Sequence, residues 1–307
     1  MKKPRPVKSG DRIAIVAPAS PFARGEFDRG VAELRRLGFE PVWDDVVFAS
    51  EDGYLAGSAE ARARSFLAHW SDASVSALIA VRGGYGSVQM LPLLDPQVLA
   101  GPPKLFIGYS DNTSLLSWLN LGCGITALHG PMLEKRLASG AAGYDERSFV
   151  ALLGNGCGLE LAPDRLEALR PGSARGPLFG GTIAQLTASL GTPYAFDPPE
   201  GCVLFLEDVN ERPYRLDRML TQLRLSGVLG RARALVFGEM RGCDEPGGAV
   251  TARAVIERLT AGFPGPVLVG FPSGHTSGPC WTLPFGVEVR VESTPRPIVV
   301  VEDSPVG

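Results

Sequence analysis

The chain has 307 residues and a formal net charge of −3 at pH 7, so it lacks the basic field that attracts nucleic acid. No apolar run approaches the roughly 20 residues needed to cross a bilayer. Only a short apolar run, at residues 13–17, follows the basic start of the chain, which is too little for a secretory signal. We therefore expect a cytoplasmic protein that binds neither nucleic acid nor membrane.

The first half of the chain alternates strands with helices. Short apolar runs predict strands at residues 13–17, 77–81, 104–108 and 125–128. Apolar residues at helical spacing predict helices near residues 27–37, 59–70 and 112–121. This alternation is typical of a mostly parallel sheet that is covered by helices on both faces.

The second half is richer in strands. Apolar or alternating runs predict them at residues 202–206, 234–237, 267–269, 287–291 and 298–301. Residues 138–176 have few periodic runs, and a chain of this length tends to form two domains. We expect an N-terminal domain at 1–137, a junction at 138–176 and a C-terminal domain at 177–307. The predicted class is α/β, with an N-terminal mostly parallel sheet flanked by helices and a smaller, β-rich, mixed C-terminal domain.

The cysteines and histidines carry no metal signature. The five cysteines are widely spaced without a C-x-x-C pair, and the three histidines are far apart in the sequence. Such spacing argues against both a disulfide framework and a zinc cluster. We expect no metal and no other cofactor.

Functional groups in open α/β sheets gather at the carboxyl ends of the strands. One such end, G-Y-S-D-N at residues 108–112, is similar to the G-x-S-x-G elbow that exposes a nucleophilic serine. Gly108 leaves room in the turn, and Asn112, in place of the last glycine, tolerates unusual backbone angles. Ser110 is therefore a candidate nucleophile, and its alternative role is that of a helix N-cap.

A second strand end is the glycine-rich turn R-G-G-Y-G at residues 82–86. Such a turn can present backbone N–H groups to an anion, which in a serine enzyme is the tetrahedral oxyanion. The alternative is a plain tight turn.

The third strand end carries Glu207, directly after the strand at 202–206. A carboxylate there is costly unless it has a partner. Glu207 is a candidate for the acid of a catalytic triad, and the alternatives are a solvated loop acid or an ion pair with Arg212.

A serine nucleophile needs a base, which is usually histidine. His275 follows the strand at 267–269 and is the first candidate. His129 follows the strand at 125–128 and is the rival. His69 lies within a predicted helix, so we expect it to be structural.

Together and in this order, these segments resemble the LD-carboxypeptidases, also called muramoyltetrapeptide carboxypeptidases, and the related microcin C immunity peptidases. The elbow and the stretch L-F-L-E-D-V-N-E-R-P-Y at residues 204–214 carry most of the likeness, which covers nearly the whole chain. The other matching segments are I-V-A-P-A-S at 15–20, A-V-R-G-G-Y-G at 80–86, H-G-P at 129–131, G-G at 180–181, G-F-P-S-G-H at 270–275 and T-L-P-F-G at 282–286.

The resemblance implies a serine peptidase with Ser110 as nucleophile, Glu207 as acid and His275 as base. The serine would lie in the first domain and the other two residues in the second, so that the site occupies the cleft between them. Family members are commonly dimers, so the resemblance also implies a homodimer.

The resemblance further implies an oxyanion hole made by the backbone N–H groups of Gly84 and Asp111, with Gly83 beside them against the substrate. One departure is visible, because the family often has Asn shortly after the histidine, where this chain has S-G-P-C-W at residues 277–281. This leaves open which substrate contacts that loop makes. Arg82 and Arg212 could grip substrate carboxylates, or form surface ion pairs.

The implied activity is hydrolysis of the L,D-amide bond that releases terminal D-Ala from murein tetrapeptides during cell-wall recycling. The nearest alternative is the immunity-type cleavage of an amide that links an aminoacyl group to a nucleotide. Immunity members tend to be longer and to carry an aromatic-bearing loop, and Trp281 keeps that alternative open. A different class of function is a two-domain binding protein without catalytic activity.

Overall fold

The computed structural model describes residues 1–97, 99 and 101–307. Its first sheet has six strands, in the order β12-β5-β4-β3-β1-β2, where the strands are numbered along the chain. Their bounds are β1 (Arg12–Val16), β2 (Glu40–Val42), β3 (Val75–Ala80), β4 (Leu105–Gly108), β5 (Ala127–His129) and β12 (Leu283–Phe285). The first five strands are mutually parallel, and β12 pairs antiparallel with β5 at the edge. The mostly parallel N-terminal sheet is confirmed.

The second sheet has eight strands in the order β6-β14-β13-β8-β9-β10-β11-β7. Their bounds are β6 (Glu160–Leu161), β7 (Glu167–Arg170), β8 (Ser173–Thr182), β9 (Cys202–Glu207), β10 (Ala232–Gly238), β11 (Val267–Phe271), β13 (Glu288–Glu292) and β14 (Ile298–Val301). Strands β8 to β11 are parallel, and the remaining pairs are antiparallel. The mixed, β-rich character of the second half is confirmed.

Eight α-helices accompany the sheets in the described part of the chain. They are α1 (Arg24–Arg36), α2 (Ala59–Ser71), α3 (Ser87–Met90), α4 (Thr113–Ser117), α5 (Glu146–Gly154), α6 (Ile183–Ser189), α7 (Pro213–Leu225) and α8 (Ala252–Thr260). The helix expected at 112–121 is divided into a 3-10 turn at Ser110–Asn112, α4, and a π-helical turn at Trp118–Gly122. None of the described helices has the length and apolar character of a membrane span.

The strands that lead to the candidate site are buried on both faces. Every residue of β3, β4 and β9 is buried. A strand covered on both faces reads as a continuous apolar run, which is why these strands were recognisable in the sequence. The α7 residues Leu216, Met219, Leu220 and Leu223 are buried together, as their helical spacing predicts.

The segment at 138–176 has more regular structure than its sequence suggested. It contains α5, β6, β7 and the beginning of β8. The strands β6 and β7 have only two and four residues, so periodicity could not reveal them. The domain division at 1–137 and 177–307 stays a prediction, and β12 joins the first sheet although its residues belong to the second half.

Candidate active site

The turn after β4 presents Ser110 in a strained backbone conformation. Tyr109 is extended, and Ser110 has φ +64°, in the left-handed region that a residue with a side chain rarely adopts. Such strain costs about 1–3 kcal/mol and gathers at functional sites. A side chain at Gly108 would bring its Cβ to 3.1 Å from the Cβ of Asn112, so glycine leaves the room that the tight turn needs.

The expected role of Asn112 is wrong. Asn112 has an ordinary helical φ of −64°, and the unusual angle falls on Ser110. Instead, the Asn112 side-chain amide donates hydrogen bonds to the carbonyls of Arg82, at 3.1 Å, and Tyr109, at 3.3 Å. Asn112 therefore ties the elbow to the neighbouring glycine-rich turn.

The glycine-rich turn lies directly against the elbow. A Cβ on Gly83 would be 2.7 Å from the Cβ of Ser110 and 2.8 Å from its Oγ, so only glycine permits this approach. Gly84 has φ +109°, and a Cβ there would be 2.2 Å from Ser20 Oγ. Ser20 braces the turn, because its Oγ accepts from the N–H of Tyr85 at 3.0 Å and its N–H donates to the Gly83 carbonyl at 3.3 Å.

Asp111 follows the serine with a buried side chain. Its Oδ2 accepts from the N–H of Ser87 at 2.8 Å, while the Ser87 hydroxyl donates to the Asp111 carbonyl at 2.6 Å. Burial raises the pKa of the Asp111 carboxyl. A Cβ on Gly83 would lie 3.4 Å from the Asp111 nitrogen, so this N–H and the glycine turn border the same space.

Glu207, at the end of β9, binds His275 twice. Its Oε2 accepts from the His275 main-chain N–H at 3.0 Å and from Nδ1 at 2.9 Å, while its Oε1 accepts from the hydroxyl of Thr182. Burial alone would raise the pKa of Glu207, but the charge and hydrogen bond of His275 outweigh it and hold the pKa well below its ordinary value. The alternative ion pair with Arg212 is wrong, because Arg212 pairs with Glu245 at 2.6 Å.

The bond to Glu207 fixes the tautomer of His275. A carboxylate only accepts hydrogen bonds, so Nδ1 carries the hydrogen, and in the neutral imidazole Nε2 keeps a free lone pair. The ring of Tyr109 packs edge-on against the imidazole, with 5.2 Å between the ring centres. The imidazole is thus held in orientation from two sides.

Two residues that the sequence analysis missed hold the His275 loop. Arg136 donates to the carbonyls of Gly274 at 2.8 Å and Thr276 at 2.9 Å. Glu239 accepts from the Thr276 hydroxyl at 2.6 Å and from the Ser277 N–H at 2.8 Å. No local pattern marks either residue, because each contact joins distant parts of the chain.

His129, the rival base, is enclosed in the core. Its Nδ1 lies 2.9 Å from Ser273 Oγ, and that hydroxyl donates to the Trp281 carbonyl at 2.7 Å, so Nδ1 is the donor to Ser273. Burial lowers the pKa of His129 to about 4. It packs behind Tyr109, with 6.0 Å between ring centres, and is not part of the cavity wall. His69, on α2, lies 3.5 Å from Asp44 and remote from the site.

Ser110 and His275 line one open cavity of about 440 Å³. It lies between loops that follow strands of both sheets. Its wall is formed by Arg82, Gly83, Gly84, Tyr109, Ser110, Met132, Glu134, Lys135, Arg136, Val209, Asn210, Arg241, His275, Thr276 and Ser277. The structure therefore brings the elbow, the glycine turn and the Glu207–His275 pair to one place. This arrangement can support nucleophilic attack by a hydroxyl with an imidazole as base.

Comparison with known proteins gives the family. The family models for the LD-carboxypeptidase N-terminal and C-terminal domains match residues 13–130 and 175–291. A probable murein peptide carboxypeptidase of Bacillus subtilis is 31% identical over 97% of this chain and 94% of its own. The crystal structure of a muramoyltetrapeptide carboxypeptidase from Oxalobacter formigenes, 30% identical, covers 96% of this chain and 100% of its own with a TM-score of 0.83.

The microcin C7 self-immunity protein MccF of Escherichia coli is 27% identical over 97% of this chain and 95% of its own length. A structure of MccF in complex with glutamyl sulfamoyl guanosine, 23% identical, has a TM-score of 0.90 over the whole of both chains and therefore shares the fold. Since the two domain models together match most of the sequence, the chain belongs to the LD-carboxypeptidase family, a family of serine-type hydrolases.

Proposed function

We propose that this protein is a serine carboxypeptidase that hydrolyses the L,D-amide bond preceding the terminal D-Ala of a murein tetrapeptide. The observation that carries the proposal is the buried Glu207–His275 pair, bonded at 2.9 Å, on the cavity that also holds the strained Ser110. A solvated acid or a plain helix cap would account for neither the pair nor the strain.

The reaction is acyl transfer. His275 Nε2 removes the proton of Ser110 Oγ as this oxygen attacks the amide carbonyl, and Glu207 stabilises the imidazolium that forms. The imidazolium then gives its proton to the departing amine. Water, activated by the same imidazole, hydrolyses the acyl-enzyme and restores the serine.

The oxyanion of the tetrahedral intermediate accepts hydrogen bonds from the backbone N–H groups of Gly84 and Asp111, with Gly83 close to the reacting carbonyl. One such donor is worth about 10²–10³ in rate. The bracing of the glycine turn by Ser20 and of the elbow by Asn112 supports this assignment, because preorganised donors need no rearrangement during the reaction.

The substrate assignment rests on family membership and on the names of relatives, among them the Oxalobacter muramoyltetrapeptide carboxypeptidase. A peptide with several carboxylates also suits a cavity that is lined by arginine and lysine side chains. The cytoplasmic location and the homodimer stay predictions from the sequence and the resemblance.

The test is release of D-Ala from L-Ala-D-Glu-diaminopimelate-D-Ala, followed by mass spectrometry. Wild type should release D-Ala and Ser110→Ala should not, while the matched control Ser114→Ala, one turn further on, should keep its activity. Full activity of Ser110→Ala would refute the mechanism. If folded wild type releases no D-Ala, an aminoacyl sulfamoyl nucleoside is the next substrate to assay, and its cleavage would establish the immunity-type activity instead.

A further inference from the structure

The cavity beside Ser110 is cationic although the chain as a whole is acidic. The charged residues of its wall are Arg82, Glu134, Lys135, Arg136 and Arg241, four cations and one anion, whereas the net charge of the chain is −3. A cleft lined by one sign of charge raises the local concentration of ligands of opposite sign. The four cations differ in what else they bind.

Two of the arginines are occupied by the protein itself. Arg136 donates to the Gly274 and Thr276 carbonyls of the His275 loop. Arg82 lies 3.3 Å from the Glu134 carboxylate and donates to the Pro21 carbonyl at 2.8 Å. These contacts hold loops in place and commit each guanidinium, wholly or in part, to the protein itself.

Arg241 is exposed on the cavity wall, and no carboxylate of the described chain forms an ion pair with it. It lies just beyond β10, the strand between β9 and β11 in the sheet. Because β9 ends at Glu207 and β11 leads to His275, Arg241 stands between the loops that carry the acid and the base.

The backbone around Arg241 is fixed. Its carbonyl accepts from the Asn210 N–H at 2.9 Å. Asn210 and Met240 both have positive φ, 59° and 49°, and a Cβ on Gly242 would be 2.3 Å from Asn210 Oδ1. Strained conformations persist only where the surroundings impose them, so the backbone from which the Arg241 side chain extends has a defined position.

The chemistry of the reaction places the leaving group on the side of the cavity that holds His275 and Arg241. His275 must protonate the departing nitrogen, so the departing residue lies against the wall that holds His275 and Arg241. Its carboxylate carbon is about 2.5 Å from that nitrogen, which keeps the charge close to the imidazole. Lys135 also lines the cavity, but it comes from the loop that follows β5 of the first sheet.

We propose that Arg241 binds the C-terminal carboxylate of the leaving residue, and so restricts the enzyme to the terminal bond of its substrate. This inference rests on the proposed carboxypeptidase function. An arginine fork can hold both carboxylate oxygens, which suits an exopeptidase that must recognise a free chain end.

The experiment compares the tetrapeptide with its C-terminal amide, in which D-alaninamide is the leaving group. Wild type should favour the acid in kcat/KM by roughly 10–100-fold, the range for a hydrogen bond to a charged group. Arg241→Gln should remove this preference by slowing hydrolysis of the acid, while hydrolysis of the amide stays near the wild-type rate. Arg241→Lys should recover part of the preference for the acid, since lysine restores the positive charge but cannot hold both carboxylate oxygens as a guanidinium does.

The matched controls are Lys135→Gln, on the first-sheet side of the cavity lining, and Arg296→Gln, at the exposed Glu160 ion pair. Both should keep the acid preference of the wild type. An unchanged preference in Arg241→Gln would overturn the inference, as would its loss in Lys135→Gln instead. Wild type without preference would overturn it too, yet leave the proposed function standing. If folded wild type cleaves neither peptide, the proposed function itself fails and the inference with it.

Discussion

In the proposed mechanism Glu207 has two tasks, which are holding the imidazole and supplying charge, and Glu207→Gln separates them. The oxygen that faces His275 accepts from a main-chain N–H and from Nδ1, at 3.0 and 2.9 Å. Glutamine should keep its own oxygen there, because the main-chain donor cannot turn away. Its amide NH₂ then faces the hydroxyl of Thr182, which can accept. The tautomer of His275 is preserved and the negative charge is lost.

The size of the effect follows from the lost charge. Opposite unit charges about 4 Å apart interact by about 4 kcal/mol at an effective dielectric constant of 20. Since each 1.4 kcal/mol of barrier is a factor of ten, kcat/KM should fall about 10³-fold in Glu207→Gln. Glu207→Ala also releases the tautomer and leaves the His275 N–H without a partner, so its loss should reach about 10⁴.

The assay is kcat/KM for D-Ala release, with thermal unfolding of each variant as the control for folding. Activity of Glu207→Gln within tenfold of the wild type would show that the carboxylate charge does not assist the reaction. Activity of Glu207→Gln below that of Glu207→Ala would contradict the amide orientation, because it would mean that the NH₂ group faces the histidine.

Two further predictions concern the packing around the site. Gly83→Ala places a Cβ 2.7 Å from that of Ser110, so D-Ala release should fall at least about 10²-fold. The control is Gly154→Ala, because a Cβ there meets nothing within 4 Å. Equal activity of the two variants would refute the close approach of Gly83 to Ser110. Burial lowers the pKa of His129 to about 4 in the folded protein, below the ordinary value of 6.5 that applies to the unfolded chain. The unfolded chain therefore binds the proton first, and the folded state loses stability as pH falls from 6.5 toward 4. Between pH 7 and pH 5, the free energy of unfolding measured in urea should fall by about 2 kcal/mol less in His129→Gln than in wild type. An equal fall in both proteins would contradict this.

The strands that carry the site could be predicted because they are buried on both faces. A wholly buried strand such as β9 has a continuous apolar run, so Glu207 stood out as the first charge after it. The position of β12 could not be predicted from the sequence. It has three residues, and it pairs with β5, more than 150 positions earlier, through contacts such as Leu283 with His129.

The supporting residues of the site could not be predicted for a related reason. Arg136 meets Gly274 across 138 positions, and Glu239 meets Ser277 across 38, so no local spacing records either contact. Ser110 was recognisable as an elbow serine, but the residue that bears the strain was not. The pentapeptide predicted the unusual backbone angle at Asn112. The structure has it at Ser110, where the glycine turn packs closely on the elbow.

The serine and the histidine belong to different sheets, so the geometry of the site depends on what joins those sheets. Thr113, which begins α4 directly behind the elbow, accepts from the N–H of Thr182 at 3.1 Å through its hydroxyl. The hydroxyl of Thr182 in turn donates to Glu207, which holds His275. A Cβ at Gly181 would lie 2.6 Å from the Thr113 side chain, so glycine lets the two segments meet. One chain of hydrogen bonds therefore runs from the helix behind the elbow to the imidazole. A shift of one sheet against the other would have to break it, and this couples the relative position of the sheets to the approach of Ser110 and His275.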